Sequence, residues 1–300
     1  MAAKRKKKDK AGHPVRAMAL RVLLWVAAIG AGLGATGVGA VTLWDVIVHR
    51  PEFRLDLRAL SLGECPEWLD CAMLNRELRR ELAELPDEES IFSPTLAHAV
   101  QHELRASPWI LDLKEVRRVL PDRLAIRAVY REPVGVVRWN GSRHLVDREG
   151  HWLPDDLYDR PAEWGEEETP VVVDRLWQGS APVGAPWNPP RYEVGARLTS
   201  VLRQSGLLAE LPIATIDVTG VGRQTAEPKI TLTTQSGAVI RWGSSSVFDE
   251  VEGLQADPSS PTDEQKLAML RSKLVSYPGL RGVEHIDLRF HSKIYTLPAE

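Results

Sequence analysis

Cysteine is scarce. Cys65 and Cys71 are the only two in 300 residues, too few for a disulfide-stapled scaffold or a four-ligand zinc centre, so metal–thiolate chemistry is set aside. Familiar catalytic spacings are missing too. No Gly-x-Ser-x-Gly elbow, His-Glu-x-x-His helix or phosphate-cradling loop occurs beyond residue 50. A strong net charge is also lacking, since 38 Lys/Arg against 41 Asp/Glu leave −3. With 43% hydrophobic and 26% charged residues, disorder throughout and a many-span membrane protein are both excluded.

That small net charge conceals a split. Residues 1–21 hold eight Lys/Arg and one acid, a charge of +7, which leaves −10 for residues 22–300. The run Val22–Trp44 that follows carries no charge. At about 1.5 Å per residue it is roughly 35 Å long, enough to cross a hydrocarbon layer of about 30 Å. Lys4, Arg5, Lys6, Lys7, Lys8, Lys10, Arg16 and Arg21 all precede it, and positive flanks stay on the cytoplasmic side. The expected layout is a cytoplasmic tail over 1–21, a membrane helix over 22–44, a linker over 45–52 and the remainder outside the cytoplasm. Trp25 and Trp44 lie near the two ends, where amphipathic rings favour the interface. A cleaved signal peptide, with Val38-Gly39-Ala40 as its cleavage site, is the alternative and sends the remainder to the same compartment. Gly32-x-Gly34-x-x-Gly37 spells a dinucleotide fingerprint, but inside an apolar run it lacks the strand–turn–helix setting that motif needs. The basic tail is accounted for as a topology signal, so no nucleic-acid partner is expected.

Beyond the linker, Phe53–Leu62 alternates apolar and mostly polar residues, which predicts a half-buried strand. Leu74, Leu78, Leu82 and Leu85 recur at helical spacing up to Pro86. A second helix opens at Ser93-Pro94 and carries Leu96, Val100 and Leu104. Residues 112–120 and 123–130 flank Pro121-Asp122 as a hairpin. The order strand, helix, helix, strand, strand predicts a small α+β unit over 53–134. From 135 to 300 the signal changes to strands and tight turns. Asn140-Gly141 and Ser236-Gly237 each sit between strand-like runs. Helical spacing returns at Val194–Leu207 and Glu264–Val275, and Val283–Phe290 with Lys293–Leu297 reads as closing strands. Residues 155–190 and 253–263 are expected as surface insertions.

No residue set in this region assembles into a catalytic or metal-binding signature. Asp217-Val-Thr-Gly220 is one residue too long for an aspartic-protease loop, has no second copy, and reads as a strand end entering a turn. His98 and His102 are four apart on a helix with no third ligand in sight. Asp155-Asp156 and Glu166-Glu167-Glu168 read as solvated loop acids. No metal, cofactor or small-molecule substrate is expected, and the chain is expected not to be an enzyme. Cys65 and Cys71 fall between the first strand and the first helix. Outside the cytoplasm they would form a short disulfide that pins this loop, or remain a pair of partly buried thiols. A terminal strand with few residues after it is apt to leave a sheet edge open, to which another chain can add a strand.

Several ordered stretches carry a resemblance. They are Ser107-Pro108-Trp109-Ile110, Val116–Ile126, Arg131–Val136, Leu145–Gly150, Thr169–Val173, Lys266-Leu267-x-x-Leu270 and Ile286–Phe290. Together with the basic tail and single anchor, they resemble the FtsQ/DivIB family of bacterial cell-division proteins. The resemblance implies a POTRA module (β-α-α-β-β) over 53–134 and a mixed, mostly antiparallel β domain over 135–300. It implies a non-enzymatic, bitopic inner-membrane scaffold of the divisome that contacts FtsB (DivIC) and FtsL during septum formation. It also places the FtsB contact on the last strands, with an aromatic residue and a serine two positions on. Phe290 and Ser292 match those positions, phenylalanine replacing the usual tyrosine, and Lys293, Ile294 and Tyr295 follow in the presumed edge strand. Alternatives are a POTRA-containing envelope assembly or secretion factor, although tandem copies and a closing barrel are lacking, and a membrane-anchored envelope enzyme with an unrecognised site.

Overall fold

The computed structural model describes residues 14–55, 60–83, 90–157, 169–177, 179–188, 190–224, 228–291 and 295–298. Helix α1 (Pro14–Val48) is longer than the apolar run at both ends, because nothing in the flanks breaks it before Pro51. Its segment Arg21–Val48 is long and apolar enough to cross a membrane, and its apolar window is uncovered by protein. Thr36 and Thr42 return their hydroxyls to carbonyls three and four residues back, which satisfies them without water.

The next unit runs β1 (Ser61–Leu62), α2 (Cys71–Leu82), α3 (Pro94–Ala106), β2 (Ile110–Val119) and β3 (Arg123–Tyr130). Its sheet has the order β1-β3-β2, with β1 parallel and β2 antiparallel to β3. Leu74, Leu78 and Leu82 of α2 and Leu96, Val100 and Leu104 of α3 are all buried, the stripe their spacing predicts. The expected strand over 53–62 is corrected. Pro51–Phe53 form a 3-10 turn, Arg54 makes a single bridge to Ser90, and among the described residues of this stretch Ser61 and Leu62 alone join the sheet. Proline's fixed φ favours the turn there, and the Phe53 carbonyl is taken by the Ile91 N–H at 2.8 Å. Residues 56–59, Leu85 and Pro86 lie outside the described residues. Ser93 stands at the start of α3 without capping a backbone N–H, its hydroxyl pairing instead with that of Thr95 at 2.7 Å.

Cys65 and Cys71 are joined as a disulfide, Cα atoms 6.4 Å apart, across the loop that enters α2. Closing so short a loop removes little chain entropy, so replacing both by serine is expected to lower stability by only about 2 kcal/mol. Thermal unfolding of the double variant beside the parent, each with and without reductant, checks it. Reductant should shift the parent alone.

The remaining strands are β4 (Pro133–Trp139), β5 (Ser142–Asp147), β6 (Trp152–Leu153), β7 (Val171–Val173), β8 (Ile213–Asp217), β9 (Thr231–Thr234), β10 (Val239–Arg241), β11 (Val283–Asp287) and β12 (Tyr295–Pro298). They form one sheet in the order β12-β11-β10-β9-β8-β7-β4-β5-β6. The β4–β7, β7–β8 and β10–β11 pairs are parallel and the others antiparallel. Between β4 and β5, Asn140 (φ 52°) and Gly141 (φ 80°) supply the two positive φ angles of a two-residue hairpin. Helices α4 (Arg191–Gln204), α5 (Leu207–Glu210) and α6 (Asp263–Ser276) pack beside this sheet. Gly195 lets α4 approach closely, since a Cβ there would lie 2.3 Å from Val172 Cγ1.

Both faces of the sheet are covered near β4. Val134, Val137, Val146 and Val172 join the core beneath α4, whereas Val136, Leu145, Leu153 and Val171 share a core with Leu74, Leu78, Leu104 and Trp109 of the first unit. The region 155–190, expected to lie on the surface, contributes the central strand β7 and a fully buried Trp187, so that expectation is corrected. Its proline-rich sequence hid packing that depends on rings distant in the chain. Trp187 lies 5.0 Å from Trp152, 5.2 Å from His144 and 5.9 Å from Trp177.

Candidate partner-binding edge

Strand β12 ends the sheet on one side, with β11 its only neighbour among the described strands. The antiparallel ladder sets Tyr295 against Asp287, Thr296 against Ile286, Leu297 against His285 and Pro298 against Val283. In such a ladder alternate residues turn their N–H and C=O groups away from the partner, so half of the β12 backbone groups face outward, where a further strand would bond. Pro298 suits this place, because proline removes a donor that an interior strand would need.

Strand β11 stops at Asp287, three residues before the predicted end at Phe290. Asp287 accepts from the Arg289 backbone N–H at 3.1 Å, which turns the chain. It also accepts from Arg289 Nε at 2.9 Å and Nη2 at 2.6 Å, with Arg241 Nη1 3.8 Å away. Burial alone would raise the Asp287 carboxyl, but the hydrogen bonds and charge of Arg289 outweigh it and hold the pKa below 3.8. The bidentate bond likewise raises the Arg289 guanidinium above its ordinary value. Leu288 is fully buried between these polar neighbours, so the turn is anchored on the core.

The anchored turn presents Phe290, which is 49% exposed. Its ring centroid lies 5.3 Å from the Arg289 guanidinium carbon, a cation–π contact. Gly243 (φ 80°) lets the Arg289 stem lie across it, since a Cβ would come within 2.7 Å of Arg289 Cγ. Beside Phe290 a cleft of about 310 Å³ is lined by Lys229, Ser244, Phe248, Asp257 and Arg289 among others. Of the expected partner-binding residues, Phe290 lies in the connection between β11 and β12 and lines this cleft. Tyr295 begins β12, and Ser292, Lys293 and Ile294 lie outside the described residues.

A buried network supports the cleft wall and was not legible in the sequence. Asp263, at the start of α6, accepts from Trp242 Nε1 at 2.8 Å, Ser245 Oγ at 2.7 Å and Ser246 N at 3.0 Å. Lys266, one turn further, is 0% exposed and donates to the Ser244 carbonyl, its Nζ lying 5.6 Å from the Trp242 ring centroid. Burial lowers its pKa to about 8, against the opposing pull of Asp263 and Asp257. Helical spacing predicts this helix from Glu264, and the Thr262–Gln265 capping box sets its start one residue earlier, at Asp263.

A second cluster sits where the first unit enters β4. Ligand atoms of Asp147, Glu149 and His151 all lie within 4.8 Å of one another. Arg131 Nη1 already reaches Asp147 Oδ2 at 2.5 Å, Glu149 Oε2 at 3.1 Å and His151 Nδ1 at 3.1 Å. The guanidinium therefore supplies the positive charge that a metal ion would bring. His98 and His102 are exposed on α3, and Glu166, Glu167 and Glu168 lie outside the described residues. Asp155 is tied to the Leu145 N–H at 3.2 Å, and Asp217 ends β8 by accepting from Thr219 N at 3.0 Å, each in a structural role. Compared with known proteins, the chain matches no protein-family model and no curated protein.

Proposed function

We propose that this chain is a single-pass scaffold of the FtsQ/DivIB type, anchored by α1 in the inner membrane and active in septum assembly. Its partners are a division protein of the FtsB (DivIC) kind, which adds a strand to β12, and through it one of the FtsL kind. The observation that carries the reading is a β12 edge with no further strand beyond it among the described residues, preceded in the chain by a half-exposed Phe290 held by the Asp287–Arg289 turn. Backbone pairing supplies affinity in such an arrangement, and an aromatic anchor supplies specificity. The order β-α-α-β-β between α1 and β4 supports a POTRA module, and the nine-stranded sheet supports the family's β domain. The first domain covers 53–134 and the second 135–300 in this reading, with the N-terminus cytoplasmic and both domains on the other side.

Two measurements test it. Phe290→Ala is expected to weaken binding of the cognate FtsB ectodomain about 30-fold or more, the loss of an interface hot spot, while the thermal transition stays in place. Unchanged affinity in a titration sinks the placement on this edge. Depletion in the native bacterium should produce filaments lacking septa, and normal division would defeat the cell-division role itself.

A further inference from the structure

We propose that the first extracytoplasmic unit rests directly on the lipid bilayer, through an aromatic foot made of Trp44, Phe53 and Phe92. The inference rests on the reading of α1 as a retained membrane span, and it adds an interaction surface that anchoring alone does not require.

Val22–Trp44 fills the hydrocarbon layer, and α1 ends one turn later at Val48, so Trp44 lies at the boundary with the headgroups. The headgroup region is only about 5–8 Å thick on each side. Phe92, which belongs to the loop before α3, has its ring centroid 5.3 Å from that of Trp44. The Phe53 ring centroid lies 5.2 Å from that of Phe92. A ring this close to Trp44 falls within the headgroup layer, the zone that aromatic side chains favour, and Phe53 adjoins it.

The foot is stiff. Ile91, beside Phe92, is fully buried, and its N–H bonds the Phe53 carbonyl at 2.8 Å. Ser93 N bonds Ser90 O at 2.8 Å, Phe92 N bonds Ser90 Oγ at 3.3 Å, and Arg118 Nη2 donates to Ser93 O at 2.8 Å. Phe53 N bonds Arg50 O at 3.0 Å, which closes the turn carrying the second ring. With the backbone held at both ends, Phe92 cannot retract without unseating Ile91. Arg50 and Arg54 are exposed on the same segment, placed to meet lipid phosphates. The unit is thereby given a fixed seat on the membrane instead of swinging on a free linker.

The test uses the full chain reconstituted in phosphatidylethanolamine–phosphatidylglycerol vesicles, with a nitroxide attached to single added cysteines while the native pair stays bonded. Labels at Val38→Cys, Glu52→Cys, Phe92→Cys and Val275→Cys are compared for collision with oxygen and with a water-soluble nickel chelate. Val275, 85% exposed on α6, is the reference for bulk water. The labels at 52 and 92 are expected to meet the nickel chelate several-fold less often than the label at 275, and Phe53→Ser/Phe92→Ser should move the label at 52 toward the reference. Labels at 52 and 92 as accessible as 275, with 38 shielded, would overturn the seat while sparing the anchor. A label at 38 that is also open to nickel would overturn the membrane span and the seat together.

Discussion

Arg131→Ala is expected to destabilise the folded chain by about 3–5 kcal/mol, because it leaves a buried carboxylate without its counter-charge. Arg131 and Asp147 are 15% and 5% exposed, and the same Arg131 nitrogen also reaches Glu149 and His151. The residue joins two parts of the molecule. Its backbone N–H bonds the Trp109 carbonyl at 2.9 Å in the first unit, while its side chain clamps the end of β5 in the large sheet. Loss of the side chain should therefore loosen the junction as well as lower the melting temperature, by roughly 10 °C or more for a chain of this size.

The pH dependence carries its own signature. Burial alone would raise Asp147, but hydrogen bonds from the His151 side chain and backbone and from Arg131 more than reverse it, so its pKa lies below 3.8. A carboxyl lowered on folding contributes fully above its unfolded pKa and loses that contribution as the pH falls through its folded value. The difference between parent and Arg131→Ala should hold steady near neutrality and shrink below about pH 4. Denaturant unfolding of both proteins at several pH values checks it. A difference that stays constant into strong acid would mean that packing, not the ion pair, accounts for the loss.

Lys266→Met is expected to act in the opposite direction and stabilise the protein at neutral pH by up to about 3 kcal/mol. The folded ammonium is held in the core, and its pKa falls from 10.5 to about 8. Below pH 8 both folded and unfolded chains carry the proton, so the full cost of burying the charge opposes folding. Between about 8 and 10.5 the folded chain releases that proton while the unfolded chain keeps it, and the parent gains stability as the pH rises. The advantage of the methionine variant should thus be largest below pH 8 and close toward pH 10.5. Asp263 keeps its donors from Trp242, Ser245 and Ser246, so the substitution leaves no unpaired carboxylate. Parallel melts of parent and variant across this range decide it. A variant less stable than its parent at pH 7 would show that the bond to the Ser244 carbonyl outweighs desolvation.

Period and punctuation were legible where a segment settles its own structure. The leucines of α2 and α3, the Asn140-Gly141 turn and the uncharged run of α1 depend on neighbours three or four residues away, and each has the predicted form. The strand expected over 53–62 is replaced at its described start by a turn and one bridge, because pairing there is set by Ser90, Ile91 and Ala125, which lie far along the chain. Trp187 was misplaced for a related reason, since proline and tryptophan between acidic runs look like a solvated loop until Trp152, His144 and Trp177 close around the ring.

The candidate edge shows the same division. Composition and spacing alone determined one long apolar helix behind a basic tail, a mixed α and β chain beyond it, and a closing strand near the C-terminus, which stops short of Phe290. Only the tertiary structure decided that β12 ends a nine-stranded sheet, that Asp287 turns the chain and holds Arg289, and that Asp263 and Lys266 support the wall beside them. Hydrophobic period is a property of adjacent residues and survives in one dimension. Strand order, ion pairing and the partners of a buried charge depend on residues brought together from distant parts of the chain, and a linear pattern holds no record of which of them will meet.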